Sequence, residues 1–380
     1  LPALVSHLAG RGTPLLLQVH DFAENGRSSN YRRLAAFLSD REGDRDNALY
    51  PHGPRVHYAL LNSRDMSILT AAGADPQCVH LLPNAVPAAT ALPPPPGPGR
   101  FVYPTRAIRR KNIGEYLLLA AIAPDDHRFG ITLEPNNLAS APTYRDWVAF
   151  AADHDLPVDF AVGAGGASLE SVMQRATAAV TTSISEGFGL CYIEPWLMGR
   201  PLIGRDLPDV TRDLRDNGLD LSGLYRRLAI PRDWIDRNAL RKALAGSLQQ
   251  QYERFGEELP CDAVDKALAA VADGDTLDMG GLNEPLQQAV VQRVLRRAGA
   301  RSALHERNPG LLDAETAPLE KNRRLVLDLY GLQRYAGKLR GIYDAVLRTP
   351  RDRGSPIDPR QVLSAFLAPE RFNLLKGPQS

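Results

Sequence analysis

Short continuous apolar runs alternate with stretches whose apolar positions recur every third or fourth residue through the first half of the chain. The first kind reads as buried strands and the second as helices that bury one face. Residues 14–20 (PLLLQVH), 56–61 and 79–82 read as strands. Between them, 29–38 reads as a helix with Ser28 or Ser29 at its start, and 65–72 as one stopping at Gly73. The order β-α-β-α-β predicts a parallel sheet.

A second series of the same kind begins after residues 88–99 (AATALPPPPGPG), where Pro93, Pro94, Pro95 and Pro96 favour a stiff, extended spacer. Strands are expected at 101–103, 129–133, 158–162, 178–182 and 201–204. Helices are expected at 113–122, 144–152, 169–176 (capped by Ser168) and 190–198, with a loop over 205–210. Beyond Asp206 the pattern turns helical, at 237–252, 263–272 and 284–297, while the rest of 256–282 is acidic and irregular. Leu325, Leu329, Leu332, Ala336, Leu339, Tyr343 and Val346 then repeat with a period near 3.5, which predicts one long helix with a buried seam. Arg323, Arg324, Arg334, Lys338 and Arg340 read as its solvated face. The seam would lie across a domain junction or pair with another chain, and a membrane-surface helix is the lesser alternative. From residue 348 the Pro- and Arg-rich sequence reads as loosely ordered, with a last short helix near 358–367. The expected domains are 1–92, 93–300 and a helical extension over 301–380.

Composition narrows the function. A chain of 380 residues has room for two cores. With 45 Lys plus Arg against 44 Asp plus Glu the formal net charge is +1, so no global field draws the chain to nucleic acid or an anionic membrane. Three cysteines, Cys78, Cys191 and Cys261, lie far apart and are odd in number, which fits a reducing, cytoplasmic setting rather than a disulfide framework. No apolar run reaches the ~18 residues that would span a bilayer, and no signal peptide is visible. The eight histidines show no metal-type spacing. The sequence begins at Leu1 with no Met, so it reads as a fragment.

The candidate chemistry collects at strand ends of the second series. The string from Ser185 to Pro195, SEGFGLCYIEP, reads as strand, glycine turn and helix start. It carries two carboxylates, Glu186 and Glu194, eight positions apart. Gly187 and Gly189 let the backbone approach a ligand, and free N–H groups at a helix start suit a phosphate. Carboxylates beside a phosphate site point to a partner rich in hydroxyls, such as a sugar or ribose. Arg106, Arg109, Arg110 and Lys111 follow the 101–103 strand, next to a helix start that disfavours cations. Their placement calls for an anionic partner, such as a diphosphate. Asp125 and Asp126 follow a helix rather than a strand end and do not read as a metal-binding pair. Gly163 to Gly166 (GAGG) lacks the Lys-Ser/Thr of a P-loop, and no GxGxxG follows the first strand of this series, so a dinucleotide cofactor is not supported. His20 and Asp21 end the first strand of the chain.

The SEGFGLCYIEP string resembles the E-x7-E signature of family 4 retaining glycosyltransferases of the GT-B fold. The likeness covers roughly residues 14–210. It implies an α/β, GT-B-like chain with two Rossmann-like domains facing a cleft, followed by a helical C-terminal extension. It implies that Glu186 holds the donor sugar and Glu194 the ribose. Arg106 and Lys111 match the family's Arg and Lys that contact the donor diphosphate, which leaves Arg109 and Arg110 facing solvent. Gly187, Phe188, Gly189 and Leu190 would line the donor site, and a matching histidine places His20 near the donor sugar and the acceptor. The implied donor is a nucleotide diphospho-sugar, the acceptor a hydroxyl on a carbohydrate or lipid-linked group, and the chemistry metal-independent, with no cofactor and no nucleic acid. Peripheral contact at the inner face of a membrane and self-association through 323–346 are further expectations. One departure stands out. The first domain shows fewer strands than the family's, so either an upstream part is missing or another chain supplies the partner strands. That motivates the alternative of a non-catalytic, sugar-nucleotide- or glycan-binding subunit. A GT-B phosphorylase would show a lysine site for pyridoxal phosphate and far greater length, and shows neither here.

Overall fold

The computed structural model describes residues 2–26, 28–37, 49–53, 55–93, 95, 97, 99–314, 318–350 and 355–376. The chain divides into two units, each assembled from separated segments. The first comprises Leu1–Pro87, Leu248–Ala263 and Asp328–Phe372, and the second Ala88–Ser247, Val264–Leu327 and Asn373–Ser380. The first break, at residues 87 and 88, lies at the start of the proline-rich stretch. Residues expected as a separate helical extension are shared between both units.

The first unit carries β1 (Leu15–Val19), β2 (Val56–Leu60) and β3 (Val79–Leu81), all parallel and ordered β1-β2-β3. The helices Pro2–Gly10, Ser28–Phe37 and Ser63–Ala71 flank them in sequence; position 38, expected in the second, lies outside the described residues. Asn62 caps the Ser63–Ala71 helix, its side chain accepting from the Asp65 N–H at 2.8 Å. Central β2 is buried throughout, whereas edge strand β1 is half-buried. One face of the sheet packs with Phe22, Leu69, Ile357 and Val362. The other packs with Leu82, Ile342 and Val346, joined by Tyr335 and Leu339.

The long helix expected from the period-3.5 seam is two helices, Leu319–Tyr330 and Leu332–Arg348. Gly331 between them is extended (φ −64°, ψ 154°) and bridges to Val86, whose N–H donates to the Tyr330 carbonyl at 2.8 Å. The break shifts the helical phase. Tyr335, Leu339, Ile342 and Val346 turn inward, while Leu332 and Tyr343 of the expected seam are 62% and 51% exposed.

In the second unit six parallel strands run in the order β6-β5-β4-β7-β8-β9. They are β4 (Arg100–Arg106), β5 (Arg128–Leu133), β6 (Val158–Asp159), β7 (Ala178–Thr181), β8 (Leu202–Arg205) and β9 (Leu224–Tyr225). Helices Ile113–Ile122, Ala141–Asp153 and Leu169–Met173 alternate with the first four strands, the last capped by Ser168 as expected. Strand order grows outward in one direction from β4 to β6 and in the other from β7 to β9. The reversal between β4 and β7 is a topological switch point, where an open sheet leaves a crevice at its carboxyl edge. Strand β6 ends earlier than expected because Ala161 adopts a left-handed conformation (φ 54°). The stretch expected to be irregular contributes β11 (Ala272–Asp273) and β12 (Thr276–Asp278), which pair antiparallel with each other, β12 also pairing antiparallel with β10 (Ala229–Pro231). Strands of two or three residues are too short to show a period.

The proline-rich stretch begins as a docked strap. The buried Arg200 guanidinium donates to the carbonyls of Leu92 (3.4 Å) and Pro93 (2.7 Å), and the Leu92 N–H to Met198 (3.1 Å), all within the second unit. Pro94, Pro96 and Pro98 lie outside the described residues. Among the described residues no helix is long and apolar enough to cross a membrane.

Candidate active site

The loops leaving β4 and β7 meet at the switch point. After β4 the chain makes a 3-10 turn, Arg109–Lys111, and Asn112 then takes a left-handed conformation (φ 54°) before the Ile113–Ile122 helix. After β7 the Thr182 hydroxyl donates to the carbonyls of Lys111 (2.9 Å) and Asn112 (3.1 Å), and the Ile184 N–H to that of Arg110 (3.0 Å). Hydrogen bonds therefore fix one loop against the other, and their side chains converge.

At the convergence stands Glu186. Lys111 Nζ is paired with its Oε1, and Arg110 Nη1 lies 3.0 Å from its Oε2. Arg110 Nη1 also donates to the Ser185 carbonyl at 2.5 Å. The Glu186 side chain is 9% exposed, that of Lys111 11%, and that of Arg110 41%. Burial alone would raise the Glu186 pKa, but Lys111 and then Arg110 outweigh it and hold the carboxyl below its ordinary range. Glu186 is thus an ionised, nearly buried carboxylate engaged by two cations at once.

The downstream turn differs from the helix expected over 190–198. A 3-10 turn, Leu190–Tyr192, is followed by a four-residue helix, Glu194–Leu197. Ile193 (φ −122°, ψ −50°) breaks the continuity, and Pro195 supplies no N–H to a preceding turn. Too little helix remains here for the dipole argument made from sequence. Gly189 is required on two counts. Its φ is 82°, and a Cβ there would sit 2.7 Å from Val210 Cγ1 and 2.8 Å from Tyr192 Cδ2. Gly187 is half-buried, Phe188 buried and Leu190 39% exposed.

Glu194 opens the short helix, half-buried. Among the described residues its carboxylate has no hydrogen-bond or ion-pair partner, and burial pushes its pKa up. Both glutamates act on the thiol between them. Burial, then Glu186 and more weakly Glu194, push the Cys191 pKa up to about 12, and its Sγ lies 3.9 Å from Glu186 Oε1. The carboxylates therefore flank one buried thiol, Glu186 held by cations and Glu194 without a side-chain or backbone partner among the described residues.

One sequence expectation about the basic loop is corrected. Arg109 does not face solvent, and Arg110, though 41% exposed, is not free. Arg109 forms a two-point pair with Glu284 (Nε–Oε1 2.5 Å, Nη2–Oε2 2.8 Å), and Arg110 engages Glu186. Arg106, expected beside Lys111, ends β4 exposed, its Nη1 donating to the Glu134 carbonyl at 3.4 Å. The structure brings Lys111, Arg110 and Glu186 into contact, with Glu194 close enough to act on the same Cys191 thiol, and among the described residues no hydrogen bond or ion pair joins Arg106 to them. His20 belongs to the first unit, exposed just past β1.

Behind the basic loop lies a network that sequence reasoning missed. Arg205, ending β8, donates to Glu115 (Nε–Oε1 2.9 Å, Nη2–Oε2 2.5 Å) and to Asp278 (Nη1–Oδ2 2.9 Å, Nη2–Oδ1 2.7 Å). The Tyr225 hydroxyl and Asn112 amide also donate to Glu115, at 2.8 and 2.9 Å, and Gln287 donates to the Asn112 side-chain oxygen at 2.7 Å. Burial pushes the fully enclosed Glu115 carboxyl up, and Arg205 opposes that rise. Gly114 admits Gln287 so closely that a Cβ would fall 2.2 Å from its Oε1. This network fixes Asn112, and through it the backbone that presents Lys111. The one available signal was Arg205-Asp206 at a strand end; its partners lie 90 and 73 positions away.

No family model matches the chain. A curated relative, mannosylglucosyl-3-phosphoglycerate synthase of Petrotoga mobilis, is 25% identical over 235 residues. The match takes in 56% of this chain and 45% of the relative, so it spans less than half of that protein's length. Among solved structures, the pneumococcal O-GlcNAc transferase GtfA in complex with UDP and GlcNAc superposes with a TM-score of 0.48 at 15% identity, covering 91% of this chain and 55% of that one. Anabaena Alr3699/HepE in complex with UDP and glucose gives 0.49 at 10% identity, covering 90% and 75%. Both scores lie below 0.5.

What the residues themselves offer is two cations, one ionised carboxylate and one unpaired carboxylate at the crevice of a parallel sheet. Such a set can bind a doubly charged anion while accepting hydrogen bonds from hydroxyl groups beside it. Among the described residues no group of three or more His, Cys, Asp or Glu is placed to hold a metal ion.

Proposed function

We propose that the chain is a GT-B glycosyltransferase that moves a sugar from a nucleotide diphospho-sugar to a hydroxyl acceptor, with retention. The observation that carries this reading is the pairing of Lys111 and Arg110 with Glu186 across the β4/β7 switch point, beside the unpaired Glu194. A diphosphate flanked by two sugar rings fits that sequence of charges.

In this reading Lys111 and Arg110 hold the diphosphate, with Arg106 at the rim. Glu194 accepts from the ribose hydroxyls and Glu186 from the donor sugar. Gly189 keeps the turn open, and Phe188 and Leu190 line it. The bond from the sugar's anomeric carbon to the β-phosphate oxygen breaks, and its electron pair stays on that oxygen. Charge grows there as the sugar becomes oxocarbenium-like, and the fixed ammonium and guanidinium stabilise it without reorganising. The acceptor oxygen bonds to the anomeric carbon on the same face, and its proton passes to the departing phosphate oxygen. His20 is assigned to positioning near the sugar and acceptor. The cations supply the charge stabilisation, so the reading needs no metal ion.

The test is a thermal-shift screen of UDP-, GDP- and ADP-sugars, repeated on Glu194→Ala and Lys111→Ala. One donor should raise the melting temperature of the wild type and lose most of that effect in both variants. Failure of every donor to stabilise the wild type would sink the proposal.

A further inference from the structure

The cations assigned to the diphosphate are already occupied. Lys111 is paired with Glu186 Oε1 and Arg110 with Oε2, so both carboxylate oxygens hold a positive group. The carboxylate is nearly buried and cannot exchange these partners for water without moving. Loop contacts from Thr182 and Ile184 keep Glu186 and the two cations in register. A diphosphate entering this site must share one or both cations with the carboxylate or draw them away from it. Building on the reading above, we infer that Glu186 is an internal competitor of the diphosphate, so that the site favours a diphosphate bearing a sugar over a bare one.

The argument is one of compensation. Removing a cation from a buried carboxylate leaves an unsatisfied charge, which is costly. A donor carrying a sugar compensates by placing hydroxyl donors on the freed carboxylate oxygens. A nucleoside diphosphate without the sugar offers no such donors, so it meets the full cost of displacing Glu186. After transfer, the leaving nucleoside diphosphate has lost its sugar. Glu186 can then return to Lys111 and Arg110 and help to expel the product. The same carboxylate thus serves selectivity before transfer and release after it.

The experiment is calorimetric titration of UDP, GDP and ADP, with the matching nucleosides as controls, into the full chain as wild type, Glu186→Gln, Glu186→Asp and Lys111→Ala. Glu186→Gln removes the competing charge at constant shape. It should tighten the preferred nucleoside diphosphate about tenfold, the scale of one charge-assisted hydrogen bond, and leave nucleoside binding unchanged. Glu186→Asp keeps the charge but draws it back by one methylene, and should tighten the same ligand by a smaller factor, which guards against a misfolded Gln variant. Transfer should fall in both. If Lys111→Ala weakens the nucleoside diphosphate but both Glu186 variants bind it no better than the wild type, the competitor role is wrong while the diphosphate site stands. If Lys111→Ala has no effect, or none of the three nucleotides binds the wild type, the site assignment itself fails and the competitor role with it.

Discussion

At the scale of single residues the two glutamates of the turn are chemically unequal, although the sequence presents them alike. Glu186 is held ionised by Lys111 and Arg110, whereas burial raises the pKa of the unpartnered Glu194. In the proposed reading Glu194 accepts from the ribose hydroxyls, and it does so most strongly when ionised. Acidification towards the raised pKa of Glu194 should therefore weaken donor binding, and Glu194→Gln should bind weakly at all pH values and flatten the dependence. Affinity measured by titration between pH 5 and 8 on both proteins checks this. Glu24 offers a separate case in the first unit. Its buried carboxyl accepts from the Tyr50 hydroxyl at 2.7 Å, and burial raises its pKa despite that bond. A raised folded-state pKa means that stability from this group is fully present below the unfolded value and is lost as pH rises through the folded one. Glu24→Gln, which keeps the acceptor oxygen, should therefore stabilise the fold by about 1 kcal/mol at pH 8 and much less at pH 4, read from urea denaturation at both.

At the scale of elements, what the sequence makes legible and what it hides can be separated case by case. The helices at Ile113–Ile122 and Glu284–Arg296 and the strands β2, β5 and β7 fall where the apolar pattern places them, within a residue or two at each end. Periodicity is local, and long or fully buried segments carry enough of it. The Leu332–Arg348 helix shows the limit, because its apolar residues form two stripes and the sequence does not say which one the sheet takes. Tyr335, Leu339, Ile342 and Val346 face β2, while Leu332, Tyr343 and Leu347 remain exposed. Ile342→Ala should cost about 2–4 kcal/mol of stability. Leu347→Ser on the outer stripe should change it by less than about 0.5 kcal/mol, despite the greater loss of apolarity. Chemical denaturation of the two variants distinguishes the stripes. The Arg205 network belongs to this scale as well. Glu115 is fully buried and takes two bonds from Arg205, so Glu115→Leu should cost roughly 3 kcal/mol and loosen Asn112. The fitting check is a lower denaturation midpoint together with faster amide exchange in the Arg109–Lys111 turn.

At the scale of the whole molecule the chain is interleaved. Both units draw on its last third: Ile357 and Val362 enter the core of the first, and Asn373 of the second donates to the Gly280 carbonyl at 2.7 Å beside buried Leu374 and Leu375. A chain ending at Thr349 removes core residues from each unit. Both should become susceptible to limited proteolysis, rather than the first alone. Protection of the 100–300 region in that truncation would contradict this.

The sequence by itself determined the repeated β-α rhythm, the parallel sheets, and the strand ends at which Lys111, Glu186 and Glu194 stand. These follow from periodicity, turn residues and steric rules that act over a few residues. Only the tertiary structure decided that Arg110 rather than Arg106 meets Glu186, that Arg109 is committed to Glu284, and that Arg205 underpins the basic loop. Those pairings join residues 76 to 175 positions apart. A charged side chain reaches several neighbours of opposite sign, and the one it takes is set by how the backbone elements pack, which no local pattern records.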